Sequence, residues 1–530
     1  MTNVNGKRKL ALGLSAVLMS SMVLSACSSK DSSEASGNGA AAAGSLKIEI
    51  FDRGNAPAGV TASDNFLTNY VKENFGKANN IDVEFVPIPR SEEVTKLNVL
   101  MASGTDVPDI VFTYDSGTFN KYAEQGGLTD LTPLLKEHGQ NLTKFLGEDT
   151  LRYGQYDGVQ YSIPAKRSTV GKYASFIRQD WLDKLGLPVP ATSEELYNTL
   201  TAFKTKDPGE TGGKVIPLGM TIAAAQYDSL VWSFIKPVTE QERYELTQNL
   251  SSRDYPILLP GFKDAIQYMN KLYNEGLISK DFALDENKET LTQNIGNGLV
   301  GAFSDDNDAI FYPDGAYDVM TKNNPKAVLS AIDPFTNSEG KTAKPVSAPN
   351  GMYIMIPKSS KHAVEAIKYL DWMSADGHLQ YIQNGIEGEH YTLEGGVPVS
   401  IPDMSVESSN KLSGGGDIGI IANGRIFESQ DKNNEAFVKS FRTKYQDIIA
   451  KSLTISTTNP IEPVFTSRPI EAESKYGTTL SDKIKQLMVK STMVSPGEFE
   501  VTYESMLKDY MSSGGQAILD ERKAAYSEQK

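Results

Sequence analysis

An α/β fold is predicted by three observations on this 530-residue chain. Short strand-like runs alternate with amphipathic runs at helical spacing, the composition is that of a globular protein, and a single cysteine excludes a disulfide framework. Hydrophobic residues make up 39% and charged residues 22% of the sequence. With a mean hydropathy of -0.35, these values exclude a polytopic membrane protein and a collagen-like, coiled-coil or wholly disordered chain. The length admits three to four domains at about 150 residues each, or one large two-lobed body. Lys+Arg 52 against Asp+Glu 67 gives a net charge of -15, which argues against nucleic acid as a partner because phosphate binding needs concentrated positive charge.

The elements follow in order. Residues 46–51 (Leu-Lys-Ile-Glu-Ile-Phe) alternate at period two and predict a first strand, ended by the loop 52–54. A helix is expected over 65–75, a strand over 81–88, a helix over 92–102 and a strand over 109–113. Such alternation implies parallel βαβ units, whose ligands sit beyond the carboxyl ends of the strands, here loops 52–54 and 114–118. Extended pieces are expected over 160–164 and 174–177, and a short helix from Asp180 to Gly186. Another helix, capped by Thr192, runs through Phe203. Residues 262–274 predict a strongly amphipathic helix closed by Gly276. Strands over 299–303 and 353–356 and a helix over 363–373 come next. Residues 401–435 are polar and Gly-rich without periodicity, and 480–488 and 502–526 are helical in pattern.

The one cysteine has a context of its own. Lys7, Arg8 and Lys9 precede an apolar run over 10–23, and Leu24, Ser25 and Ala26 stand just before Cys27. This is the pattern of a secretory signal, too short for a span of ~20 residues. The tetrad 24–27 resembles a bacterial lipobox, which implies lipid attachment at Cys27 and cleavage in front of it; the competing reading is a chance cysteine after an ordinary cleavage site. Residues 27–45, rich in Ser, Ala and Gly, then form a lipidated flexible tether.

Several stretches together resemble the extracellular solute-binding lipoproteins of bacterial ABC importers, in the large carbohydrate-type group that includes maltodextrin- and alginate-oligosaccharide-binding proteins. They are Ala102-Ser103-Gly104 through Pro108-Asp109-Ile110-Val111-Phe112, then 122–131 (Tyr-Ala-Glu-Gln-Gly-Gly-Leu-Thr-Asp-Leu), and 157–164 (Asp-Gly-Val-Gln-Tyr-Ser-Ile-Pro). Residues 177–186 (Ile-Arg-Gln-Asp-Trp-Leu-Asp-Lys-Leu-Gly) and 386–391 (Ile-Glu-Gly-Glu-His-Tyr) complete the set. The resemblance implies a two-lobed periplasmic-binding-protein-like fold, each lobe a mainly parallel sheet flanked by helices, with the ligand cleft between lobes. Lobe one is expected over 46–163 and 350–395, the first crossover and lobe two over 164–349, and 396–530 mainly in lobe two and C-terminal helices. Hinges are expected near 164–171 and 346–352, with Gly171 and Gly351 absorbing rotation.

The resemblance also implies site residues, since sugar binding needs aromatic faces and planar polar groups. Tyr114 and Asp115 follow the strand 109–113; the alternative is a solvated turn. Lys166 and Arg167 sit at the first crossover; the alternative is a lobe-to-lobe salt bridge. Phe303, Asp305 and Asp306 end the strand 299–303, where a polar turn is the competing reading. Asp52 and Arg53 end the first strand, and Trp232 lies in an apolar patch that favours core packing. Tyr391, beside His390, and Arg425 complete the ligand-binding set. The cations Arg53, Lys166 and Arg167 hint at an acidic sugar.

No metal or cofactor is expected. Some large relatives carry a calcium loop where this chain has Asp207-Pro208-Gly209-Glu210-Thr211-Gly212-Gly213-Lys214, but Gly209 and Leu218 occupy positions that calcium ligation assigns to oxygen side chains. The G-x-G-x-x-G over 414–419 follows a polar stretch rather than a buried strand, and the four histidines show no ligand spacing. Catalytic residues are not expected. The expected role is a monomeric, lipid-anchored, extracytoplasmic receptor that delivers an oligosaccharide to ABC permease subunits. The alternatives are a membrane-tethered polysaccharide-active enzyme and a binding or sensor lipoprotein for a non-sugar solute.

Overall fold

The computed structural model describes residues 44–250, 253–312, 314–337, 339–401, 404–466 and 468–528. The expected signal segment, Cys27 and the tether through residue 43 lie outside the described residues.

Lobe one starts with the strand Gly44–Asp52, paired in parallel with Ile81–Pro89 from Gly44↔Ile81 to Asp52↔Pro89. The connecting helix Phe66–Val71 begins where Asn65 and Thr68 cap each other in a reciprocal box. A parallel bridge between Ile48 and Ile110 leads to a four-stranded sheet in the order Ala422–Asn423, Ser162–Arg167, Asn350–Met355, Val111–Thr113. Leu46, Ile48, Phe112, Ile163, Ile354 and Leu370 share its core.

Lobe two holds a second sheet in the order Leu329–Ile332, Tyr173–Arg178, Val300–Asp306, Ile216–Gly219. The helix Gln179–Leu185 stops at Gly186, which takes a left-handed φ of 66°. Thr192 caps Ser193–Lys206 by accepting from Glu195 N. The helix Phe262–Asn274 buries Phe262, Ala265, Ile266, Met269, Leu272 and Tyr273, one face at helical spacing. Trp181, Phe203, Leu230 and Ile484 join that face in the lobe-two core. Near the carboxyl end, Phe499–Tyr510 and Gln516–Glu528 meet at Gly514 (φ 134°), where a Cβ would lie 2.5 Å from the Tyr476 ring.

The sheets are mixed rather than mainly parallel. Tyr173–Arg178 is antiparallel to both of its neighbours, and Asn350–Met355 is antiparallel to Val111–Thr113 and Ser162–Arg167. The cause is the crossing itself. A strand arriving from the other lobe enters at the cleft and runs away from it, whereas strands followed by loops at the cleft run toward it.

The stretch 401–435, without sequence periodicity, contains the helices Val406–Lys411 and Gly415–Ile418, the strand Ala422–Asn423 and the start of the helix Gln430–Lys439. Ile418, Ile420, Ile421, Ala422 and Ile426 pack into the core of lobe one. Their burial depends on a short contiguous apolar run that packs onto lobe one, which has no period to detect. Among the described residues, no helix is long and apolar enough to cross a membrane.

Candidate functional site

A cleft of about 780 Å³ is lined by both lobes, the crossovers and the segment following the second crossing. The lobe-one wall starts at the carboxyl end of Val111–Thr113. There Tyr114 N donates to Glu93 Oε1 at 2.8 Å, and the Tyr114 hydroxyl accepts from Asn423 Nδ2 at 3.1 Å. Asp115 caps the helix Ser116–Glu124, its carboxylate accepting from Thr118 N at 2.6 Å. Behind this cap the rings of Phe119 and Tyr353 stack, centroids 4.9 Å apart. Tyr153 and Phe465 meet edge to face at 5.2 Å, with the Arg152 guanidinium 5.3 and 4.9 Å from their centroids. Phe465 is 36% exposed and lines the cleft, the placement of a stacking surface.

The floor is the crossover. Arg167 donates from Nε to the Ala348 carbonyl at 3.1 Å, from Nη2 to the Asn350 carbonyl at 3.1 Å and from Nη1 to Asn423 Oδ1 at 3.0 Å. One side chain thus ties together three chain segments that pass between the lobes. On the lobe-two wall, Arg253 pairs with Asp228 and lies over the Tyr227 and Tyr255 rings. Burial pushes the Asp228 carboxyl up, against the pull of Arg253 and Lys172. Asp254 accepts from Val464 N at 2.7 Å and Asn249 Nδ2 at 2.9 Å, fixing the 460s segment beside the cleft. Deeper, Glu473 pairs with the fully buried Arg522 at 2.6 Å.

Of the residues expected from the sequence, the structure brings Tyr114, Asp115, Arg167 and Trp232 to this cleft. Trp232 is only 3% exposed, and its Nε1 is buried without an acceptor among the described residues. Lys166 points the other way, as strand alternation requires. It lines a smaller pocket of about 470 Å³ with Tyr391 and donates to the Phe145 carbonyl at 2.8 Å. Arg53 makes a bidentate pair with Asp417, and Asp52 accepts from Gly54 N, so the loop 52–54 is held on lobe one away from the cleft. Phe303 packs in the core against Phe176, centroids 5.5 Å apart. Asp305 and Asp306 face Lys288 at 2.7 and 3.5 Å. Arg425 lines neither cavity, and burial lowers its pKa.

Sequence reasoning missed Arg152, Tyr153, Lys172, Arg253, Asp254 and Tyr353, and beyond residue 460 Phe465, Glu473, Ser474 and Thr478 among others, all of which line the cleft. Lys172 alone carried a signal, standing just past the crossover already singled out. The rest sit on elements whose pattern does not distinguish a wall from a surface.

The Asp207 loop closes on itself. Asp207 accepts from Thr211 N at 3.0 Å, Thr211 Oγ1 at 2.8 Å and Gly213 N at 3.1 Å. Burial opposes ionisation there, yet these bonds hold the carboxyl below its usual range. Among the described residues, no group of three His, Cys, Asp or Glu side chains is placed to hold a metal ion. The glycine motif at 414–419 follows a helix, Val406–Lys411, and lies within lobe one.

Comparison with known proteins agrees with this architecture. Lipoprotein LipO of Bacillus subtilis is 26% identical over 465 residues, 85% of this chain and 87% of LipO. The polygalacturonan/rhamnogalacturonan-binding protein YtcQ of the same organism is 22% identical over 472 residues, covering 86% and 87%. The alginate-binding protein AlgQ2, solved without calcium ion, superposes with a TM-score of 0.65 at 20% identity over 91% of this chain and 98% of its own. The Streptococcus pneumoniae substrate-binding protein FusA in complex with kestose gives 0.64 at 16% identity, covering 92% and 99%. The family described as bacterial extracellular solute-binding protein matches residues 58–378, more than half of the sequence, and the chain belongs to that family.

Proposed function

We propose that this chain is the oligosaccharide receptor of an ABC importer, capturing its ligand by closure of the two lobes and presenting it to transmembrane permease subunits. The observation that carries this is the cleft of about 780 Å³, within the size of ligand sites and walled by aromatic rings and planar polar groups from both lobes. Arg167 supports the hinge, because its bonds to Ala348, Asn350 and Asn423 join the passing segments, as do Ser347 N to the Val170 carbonyl at 2.8 Å and Ser168 N to the Asn423 carbonyl at 2.9 Å. Rotation about 167–172, 345–351 and 423–430 changes the cleft while each sheet stays rigid. Lobe one then comprises 46–163, 350–395 and the insertion around 415–426, and lobe two most of the remainder. Tyr114, Asp115, Tyr153 and Phe465 form the stacking and hydroxyl-binding surface, with the buried Trp232 packed behind the opposite wall. The chain acts as a monomer without catalysis, lipid-anchored through Cys27 on the outer face of the cell membrane.

The test is a thermal-shift screen of the full-length protein against neutral and acidic oligosaccharides, with mass spectrometry of each glycan afterwards. Ligand at a hundredfold excess over Kd raises stability by about 2.7 kcal/mol. A shift with the glycan intact supports the receptor; a shortened glycan replaces it with an enzyme, and no shift across the panel overturns the oligosaccharide reading.

A further inference from the structure

Two cations on the cleft floor differ from the other deep cations of the cleft. Arg253 has Asp228 and Arg522 has Glu473. Arg167 and Lys172 line the same cleft half-buried, with no carboxylate partner among the described residues. The three nitrogens of Arg167 face two carbonyls and an amide oxygen, acceptors that orient its charge without neutralising it. The Lys172 ammonium makes no hydrogen bond or ion pair among the described residues, although its backbone is fixed by Asn307 N donating to its carbonyl at 2.9 Å. Burial lowers the pKa of both groups. Lys172 also feels Asp228 and Asp254, which favour its charge, and Arg253 and Arg167, which oppose it.

A half-buried ammonium with no hydrogen-bonded counter-ion has lost hydration that the more distant charges of Asp228 and Asp254 offset only in part. An anion arriving there makes a charge-assisted hydrogen bond in a site shielded from solvent. The local positive charge stands out on a chain of net charge -15. The neighbouring carboxylates limit the choice, because Asp228 and Asp254 repel a divalent phosphate more strongly than a monovalent carboxylate. In the same cleft, Tyr153 and Phe465 offer ring faces of the kind that sugar C–H surfaces need.

We infer that the cleft selects a carboxylated, uronate-type oligosaccharide, with one sugar carboxylate seated on the Lys172 ammonium in the positive field of Arg167. This rests on the oligosaccharide reading above and narrows it to an anionic class.

The test is calorimetric titration of the full-length protein with trigalacturonate and trimannuronate, each against its carboxyl-reduced neutral counterpart, with kestose and maltotriose alongside. At least one uronate trimer is expected to bind about tenfold or more tighter than its reduced form, with a gap that narrows at high salt. In Lys172→Gln the gap is expected to fall to about threefold or less, at an unchanged thermal midpoint without ligand. Equal affinity for acid and reduced trimers overturns the inference, and so does an acid preference undiminished in K172Q, which seats the carboxylate elsewhere. Binding of kestose or maltotriose but of neither uronate overturns the inference and leaves the oligosaccharide reading standing. Binding of no glycan overturns both.

Discussion

Two buried glutamates, Glu49 in lobe one and Glu473 in lobe two, are treated differently. Glu49 in lobe one is 1% exposed; its Oε2 accepts from Phe112 N at 3.0 Å and its Oε1 has no partner among the described residues. Burial pushes this carboxyl up to about 8, with Glu93 adding to the shift. Glu473 in lobe two accepts from Asn249 N at 2.8 Å and from Arg522 Nε at 2.6 Å. Burial pushes it up as well, to about 7, because the pull of Arg522 offsets only part of the desolvation. Burial therefore favours the protonated form of Glu49, which has no cation beside it, whereas Glu473 has Arg522 and the other buried glutamate of lobe one, Glu93, has Arg90. Both walls of the cleft carry charge, Asp115, Glu124 and Arg152 on one side and Asp228, Arg253 and Asp254 on the other, and the lobe-one wall adds a helix cap and stacked rings.

Arg522→Leu has the largest expected effect. Removing one member of a buried pair leaves Glu473 uncompensated, and stability is expected to fall by about 3 to 5 kcal/mol in urea denaturation. A variant within about 1 kcal/mol of the parent would show that Glu473 is held without its cation.

A pH series tests the other lobe. The folded carboxyl of Glu49 lies above its ordinary value of 4.5, so its stabilising contribution is fully present below that value and is lost as pH rises through about 8. Glu473 acts in the same direction up to about 7. Stability is therefore expected to decline between about pH 5 and 8, by on the order of 1 kcal/mol per pH unit for each group in its window. Glu49→Gln cannot titrate, so its decline is expected to be shallower than the parent's; parallel curves would remove Glu49 from the account.

Smaller effects separate the walls. Asp207→Ala removes the acceptor that closes its loop and is expected to cost about 1 kcal/mol in thermal denaturation, as for a lost cap. Addition of EDTA is expected to leave the thermal midpoint unmoved, and near-equimolar calcium in elemental analysis would contradict the closed loop. Phe465→Ala is expected to weaken glycan binding by about threefold to tenfold with little change in stability, because its ring is partly exposed. An unchanged affinity would assign stacking to the other rings.

Much of the scaffold was legible. The helix Phe262–Asn274 and the cap at Thr192 follow from residues within a few positions of one another, and so does the strand Gly44–Asp52, whose predicted core is 46–51. The site was legible only where a strand end or crossover pointed to it. Tyr114, Asp115 and Arg167 were reachable that way, whereas Lys166, one position from Arg167, lies on the opposite face of the same strand. Phe303 and Asp305 ended a correctly placed strand, yet the first packs inward and the second meets Lys288. Strand position alone does not say what stands opposite.

The α/β alternation and the acidic balance follow from the sequence, because each is written in composition or in local period. Contacts between distant segments set the remainder. Strands entering from the other lobe run antiparallel, the apolar residues at 418–426 return to lobe one, and Arg253 pairs with Asp228 while Lys172 makes no ion pair among the described residues. The physical reason is that a charge is neutralised by what lies within a few ångströms, and around this cleft those neighbours come from segments far apart in the chain.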